Sequence, residues 1–167
     1  MNMRLLLYIS LFTVLVCCLF VNYNPRIATS FTTDFSDGEV FTSQNGHFDF
    51  KDFSVNSPKA NNFTAKIKTI GHTQFIDDSG NVTINYLELD NMIQSNKDWH
   101  TSLLSKELER PSWTVDGVSV HEIDFVFHGE LYSAYRKNSS TNAIIYLSTP
   151  NEQETADMMN SLTFKEE

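Results

Sequence analysis

Residues Leu5 to Val21 form an unbroken apolar run, preceded by Arg4 and closed by the polar break Asn22-Tyr23-Asn24-Pro25-Arg26. The run also holds both cysteines of the chain, Cys17 and Cys18. Everything after it must fold without a disulfide, a thiol nucleophile or a thiolate metal site, by packing alone. The run's seventeen residues, polar only at Tyr8, Ser10 and Thr13, lie at the lower edge of what spans a hydrocarbon core of about 30 Å. Tyr23 supplies an interfacial anchor that lengthens the span. The favoured reading is an uncleaved signal anchor, a transmembrane helix over residues 1–23 that holds the chain in the membrane through residues 5–21. Arg4 and the start amine place the N-terminus inside by the positive-inside rule. The address is then a single-pass cell-membrane protein with its C-terminal domain outside.

Three alternatives compete with the anchor. A cleaved secretory signal has a shorter apolar region and a small-residue cleavage site just behind it. The best such site here, Ala28-Thr29-Ser30, lies well past the run. A buried core helix would need a polar face, and this segment has none. A lipid-modified cysteine wants a small residue before it, whereas Val16 precedes Cys17 and Cys17 precedes Cys18. Both cysteines read more simply as small apolar residues in a membrane helix.

The formal net charge is −9, and all 21 acidic residues lie beyond the apolar run. An acidic body disfavours nucleic acid, which demands a basic footprint. Thirteen Phe, six Tyr and two Trp are ample for one core. Residues 24–45 read as a linker rich in Asn, Thr, Ser and Asp, and residues 46–167 as one extracytoplasmic domain. Three sequons, at Asn62, Asn81 and Asn138, mark candidate glycosylation sites at turns or strand edges.

Within the domain, Phe48 and Phe50 share one strand face while Phe53 and Val55 share another. A change of face at Lys51-Asp52 predicts a β-bulge. Phe63, Ala65, Ile67 and Thr69 alternate with Thr64, Lys66 and Lys68, the pattern of a half-buried strand. His72–Ile76 and Val82–Tyr86 read as a hairpin around Asp77-Asp78-Ser79-Gly80-Asn81. Residues 90–110 change to helical period, with a break expected near Ser95-Asn96 and a stop at Pro111. Asp116-Gly117 marks a second hairpin. Strands follow at Leu131–Arg136 and Ala143–Leu147. Thr149-Pro150-Asn151-Glu152 reads as a capping box, with Thr149 as N-cap and Pro150 as first helical residue. Ala156, Met158 and Met159 form the buried stripe of that last helix. The expected fold class is α+β: an antiparallel sheet covered by helices.

This order resembles the PsbP-like family of small extracytoplasmic domains. The resemblance rests on the aromatic strand Gly46-His47-Phe48-Asp49-Phe50-Lys51-Asp52-Phe53. It rests also on the closing Tyr146-Leu147-Ser148-Thr149-Pro150 and Met158-Met159-Asn160-Ser161-Leu162-Thr163-Phe164. It covers about residues 46–165 and implies an α/β/α sandwich with no common catalytic site, in a family of mostly binding or assembly factors. The middle region here is shorter than in that family. The sequons, the cysteine-free domain and the short tether also resemble small surface proteins of methanogenic archaea.

The five histidines, His47, His72, His100, His121 and His128, show no HxH, HxxxH or HExxH spacing. The densest polar group is residues 121–130. On one strand, Glu122, Asp124 and His128 would point the same way and offer oxygen and imidazole to a divalent cation. A solvated sheet face explains them more simply. Asp77–Asn81 has the composition of a calcium loop but lacks the spaced acids and distal Glu of an EF-hand. Ser102 and Lys106 are one residue too far apart for S-x-x-K. Tyr132 and Tyr135 near Trp113 could line a pocket, although such aromatics are more often core. No glycine-rich phosphate loop is present, and no cofactor is implied. The favoured function is a non-catalytic domain that binds or stabilises an envelope protein partner. The alternatives are a small-ligand binding module with an apolar pocket between sheet and helix, and a metal-dependent hydrolase using residues 121–130.

Overall fold

The computed structural model describes residues 35–125 and 129–165. In chain order the elements are β1 (Val40–Thr42), β2 (His47–Asp49), β3 (Phe53–Asn56), β4 (Asn62–Thr69), β5 (His72–Asp77), β6 (Thr83–Glu88) and α1 (Gln94–Leu108). Then follow β7 (Ser112–Val115), β8 (Val118–Phe125), β9 (Gly129–Asn138), β10 (Ala143–Thr149), α2 (Glu152–Ser161) and β11 (Thr163–Phe164). Among the described residues no helix is long and apolar enough to cross a membrane. The expected membrane helix over residues 1–23 lies outside the described residues.

Eight strands form one antiparallel sheet in the order β1-β4-β5-β6-β10-β9-β8-β7. The sheet is two meanders sewn together. β4, β5 and β6 run as consecutive neighbours. The chain then leaves through α1, starts again at the far edge with β7, and works back until β10 pairs β6. A second sheet of three short strands, β11-β3-β2, is also antiparallel.

The α/β/α sandwich expected from the sequence is not what forms. The described residues are mostly antiparallel β, with two helices, and part of the inner face of the large sheet is covered by another sheet. The physical reason lies in Phe50–Phe53. The expected bulge is instead a tight turn, closed by a hydrogen bond from the Phe50 N–H to the Phe53 carbonyl at 2.9 Å. The chain folds back on itself, and β2 pairs β3. That turn puts Phe48, Phe50, Phe53 and Val55 on one inward side, all fully buried. Phe50 packs on Phe53 and Phe75 at 4.6 Å between ring centroids, and Phe48 meets Phe63 at 4.7 Å. These are close aromatic contacts that reinforce simple area burial.

Residues 35–45, part of the stretch read as linker, belong to the fold. Phe35 is buried at 3 % exposure against Phe75 and Tyr86, and β1 pairs β4. Over the other half of the inner face lies α2, which buries Ala156, Met158 and Met159. Its cap sits two residues later than Thr149-Pro150 implies. Asn151 is the N-cap, and its side chain accepts from the Glu154 N–H at 3.0 Å. Thr149 still contributes, since its hydroxyl accepts from the Asn151 N–H at 3.1 Å.

Candidate functional site

The outer face of the large sheet is where a site can form, because it is only partly covered. Strand register assigns that face. Lys66 and Lys68 on β4, His72 and Gln74 on β5, and Asn85 and Leu87 on β6 all point outward. Beside them stand Ile144 and Tyr146 on β10 and Tyr135 and Lys137 on β9. Among the described residues a single helix, α1, lies over this surface. It is one unbroken helix, without the break expected near Ser95-Asn96.

α1 is a polar helix with a narrow apolar edge. Thr101 and Ser105 return their hydroxyls to the carbonyls four residues back, at 2.8 and 2.9 Å, which spares those groups without binding the helix to the sheet. Contact with the sheet runs through Leu104, which packs against the small cluster of Leu87, Leu89, Met92 and Ile144. His100, one turn earlier on the same face, approaches β5. Trp99 and Leu103 form the adjacent stripe and remain 59 % and 39 % exposed.

The consequence is a cleft of about 190 Å³ between α1 and the sheet. His72, Asn85, Leu87 and Tyr146 make its floor; Trp99, His100, Leu103 and Leu104 make its helical wall. The surface is mostly apolar, and the polar groups converge at one end. There the two imidazoles meet edge to face with ring centroids 4.8 Å apart. His72 Nε2 lies 3.0 Å from Asn85 Oδ1, so Asn85 orients the ring. Trp99 stacks edge-on against His100 at 4.7 Å.

Gly71 sets the position of His72. Its φ of +74° is a left-handed conformation, and a Cβ there would lie 2.8 Å from the Glu88 carbonyl oxygen and from Met92 Cγ. Only glycine lets the β4–β5 turn press against the end of β6 and so hold β5 at this depth.

Both imidazoles are kept neutral. Burial pulls His72 below its ordinary value, the Asn85 hydrogen bond opposes that, and the Lys68 ammonium adds to it. His100 is pushed down to about 4, first by burial and then by its neighbour His72. The chemistry on offer is an apolar slot with two neutral, hydrogen-bonding imidazoles and a nearby cation.

Those residues picked out from the sequence that the structure describes sit elsewhere. Glu122 is exposed on β8, while His121 points to the opposite face and is buried at 4 % exposure. The side chain of Asp124 and the whole of His128 lie outside the described residues. Among the described residues no three His, Cys, Asp or Glu side chains are grouped to hold a metal ion. Asp77 serves its own turn, accepting from the Val82 N–H at 2.8 Å and from the Ser79 N–H at 3.3 Å. Ser102 and Lys106 lie exposed on α1. Tyr132 and Tyr135 do not share a pocket, since they are on opposite faces of β9. Tyr132 meets Trp113 on the inner side at 6.0 Å, and Tyr135 joins the Leu87 cluster outside.

Of the sequon asparagines, Asn81 is exposed in the β5–β6 turn, and Asn62 is half-buried at the start of β4. Asn138 accepts from the hydroxyl of Ser140, the third residue of its own sequon, at 2.7 Å. His72 and His100 are the residues sequence reasoning passed over. They are 28 positions apart on different elements, and no spacing rule joins a strand residue to a helix residue across a fold.

The arrangement defines a β-rich domain with an apolar cleft between helix and sheet. No family model, curated protein or solved structure matches this chain. The site is therefore read from its own chemistry.

Proposed function

We propose that this chain is a non-catalytic binding domain that takes a small, mostly apolar ligand in the cleft between α1 and the sheet. The N-terminal apolar run carries it on a membrane, with the β-rich domain outside. One observation supports the ligand reading above the rest: an apolar slot whose few polar groups gather at one end, the usual form of a small-molecule site. Its size suits a single ring with a short substituent, since a cavity of ~150 Å³ accommodates benzene. The exposed indole of Trp99 is placed to close over such a guest.

The test is a panel of single-ring compounds titrated into the full-length protein in nanodiscs, followed by tryptophan fluorescence and melting temperature. Binding should raise the melting temperature and change Trp99 emission, and Leu87→Trp, which fills the floor, should abolish both responses. If no compound of this size stabilises the protein at about 1 mM, where even a weak specific ligand acts through mass action, the cleft is not a ligand site.

A further inference from the structure

The sheet face that floors the cleft has a charge pattern opposite to that of the chain. Net charge is −9 overall, yet the described outward positions of β4, β5, β6, β10 and β9 include no Asp or Glu. They include Lys66, Lys68 and Lys137. Lys66 and Lys68 are exposed, and Lys68 is close enough to His72 for its charge to act on the ring. On α1 and its approach, Asp98 accepts from Gln94 Nε2 at 2.7 Å, and Asp90 lies 3.6 Å from Lys97 Nζ. Among the described residues, Lys68 on β4 acts on His72, the two rings act on each other, and Tyr146 of β10 lines the same cleft.

We infer that the ligand of the cleft is a small amphipathic anion, an aromatic or branched-chain carboxylate whose apolar body lies along Leu87 and Leu104 and whose carboxylate meets His72, His100 and Lys68. This deepens the ligand-binding reading and rests on it. A neutral guest would leave two imidazoles facing apolar surface and the nearby Lys68 charge unused. A carboxylate offers two acceptor oxygens, can accept from the N–H of His100, and gains a charge-assisted contact wherever a ring is protonated; His72 has a second N–H to give it only in that form, since Asn85 Oδ1 takes the first. Bound negative charge raises the proton affinity of both rings, so carboxylate binding takes up protons. Affinity for the anion therefore rises as the pH is lowered below about 6.5, toward the low value of His100 in the empty site.

The experiment compares phenylacetate with its neutral isostere phenylacetamide on the full-length protein in nanodiscs, by calorimetric titration at pH 7.5 and 5.5. Benzenesulfonate, which stays ionised at both values, controls for titration of the ligand itself. The expected result is about a tenfold preference for the acid over the amide at pH 5.5, the size of one charge-assisted hydrogen bond. A smaller preference is expected at pH 7.5, and benzenesulfonate should follow the same trend. Lys68→Gln should shrink the acid-to-amide ratio at both pH values, and His100→Gln should remove most of its pH dependence. If the amide binds as tightly as the acid at pH 5.5, the cleft is a ligand site but the anion inference fails. If neither compound binds nor any other single-ring probe does, the ligand-binding reading itself fails, and the anion inference with it.

Discussion

On the inner face of the eight-stranded sheet, Phe50 is fully buried and touches the rings of Phe41, Phe48, Phe53, Phe63 and Phe75. On the outer face, half-buried Leu104 of α1 and Tyr135 of β9 pack against a small cluster of four buried residues. The two faces share the same strands and the same hydrogen-bonded ladder. They differ in what was laid on them. The inner face received aromatic strands and an amphipathic helix that buried Phe48, Phe50, Phe53, Phe63 and Phe75 completely. The outer face received a polar helix held by Leu104 and His100, and a cleft remained between them. Stability resides in the first surface and adaptability in the second, because a locally weak element opens at little expense to the global fold.

The sharpest attempt to break this contrast is Phe50→Ala. Truncating a fully buried phenylalanine removes about 3–5 kcal/mol, enough to unfold a domain of ordinary stability. Urea titration should find the whole protein unfolded or nearly so. A loss under about 1 kcal/mol would mean that the aromatic layer is not the structural core. Leu104→Ala is the matching change outside. It should weaken α1 docking by about 1–2 kcal/mol, below the range for a fully buried leucine because this one is half-buried. Hydrogen exchange should show the α1 amides losing protection while those of β5, β6 and β10 keep theirs. Loss of protection in both sets would merge the two regions into one cooperative unit.

A milder probe returns to the inner side. Asn151→Ala removes the N-cap of α2 and should reduce global stability by about 1 kcal/mol, whereas Thr149→Ala should act through the same turn by a smaller amount. Equal and large effects from both would restore Thr149 as the true cap. The smallest expected effect is on pH. His100 has a value in the fold, about 4, below its ordinary 6.5, so folding favours its neutral form. That contribution is complete above about pH 6.5 and is lost as the pH falls from there toward 4. Protection factors of the α1 amides in the ligand-free protein should decline across this window, and His100→Phe should flatten the decline. An unchanged slope would show that His100 is not shielded by the helix. Core amides should not follow either curve.

Much of the β-structure was legible along the chain. Alternation at Phe63, Ala65 and Ile67, the Asp77–Asn81 turn and the Asp116-Gly117 turn each specify a local result that depends on neighbouring residues only. The helix over 94–108 and the stripe of Ala156, Met158 and Met159 were legible for the same reason. The cap of the last helix was placed two residues too early because Thr149 and Asn151 are both competent caps, and packing of Thr155 against Thr149 selects Asn151 (their hydroxyls are 2.9 Å apart). The turn at Lys51-Asp52 was misread because a bulge and a tight reversal present the same alternation of faces. Pairing of β2 with β3, which decides between them, is a tertiary event.

The candidate site was the least legible part. Residues 121–130 drew attention through their density of polar side chains, but of the three named there, Glu122, Asp124 and His128, only the side chain of Glu122 is among the described residues, exposed on β8. The cleft residues are dispersed over β5, β6, β10 and α1, and each alone looks ordinary.

The sequence by itself determined that the domain must hold together without cross-links, that it is built of short antiparallel strands, and that its N-terminal run is apolar. Those properties follow from composition and from period, which are local. Tertiary structure alone decided that a second sheet would cover the first, that Phe35 would be drawn into the core, and that His72 and His100 would meet. Each depends on which surfaces find one another, and burial energy is non-directional, so the pattern that demands burial does not say against what.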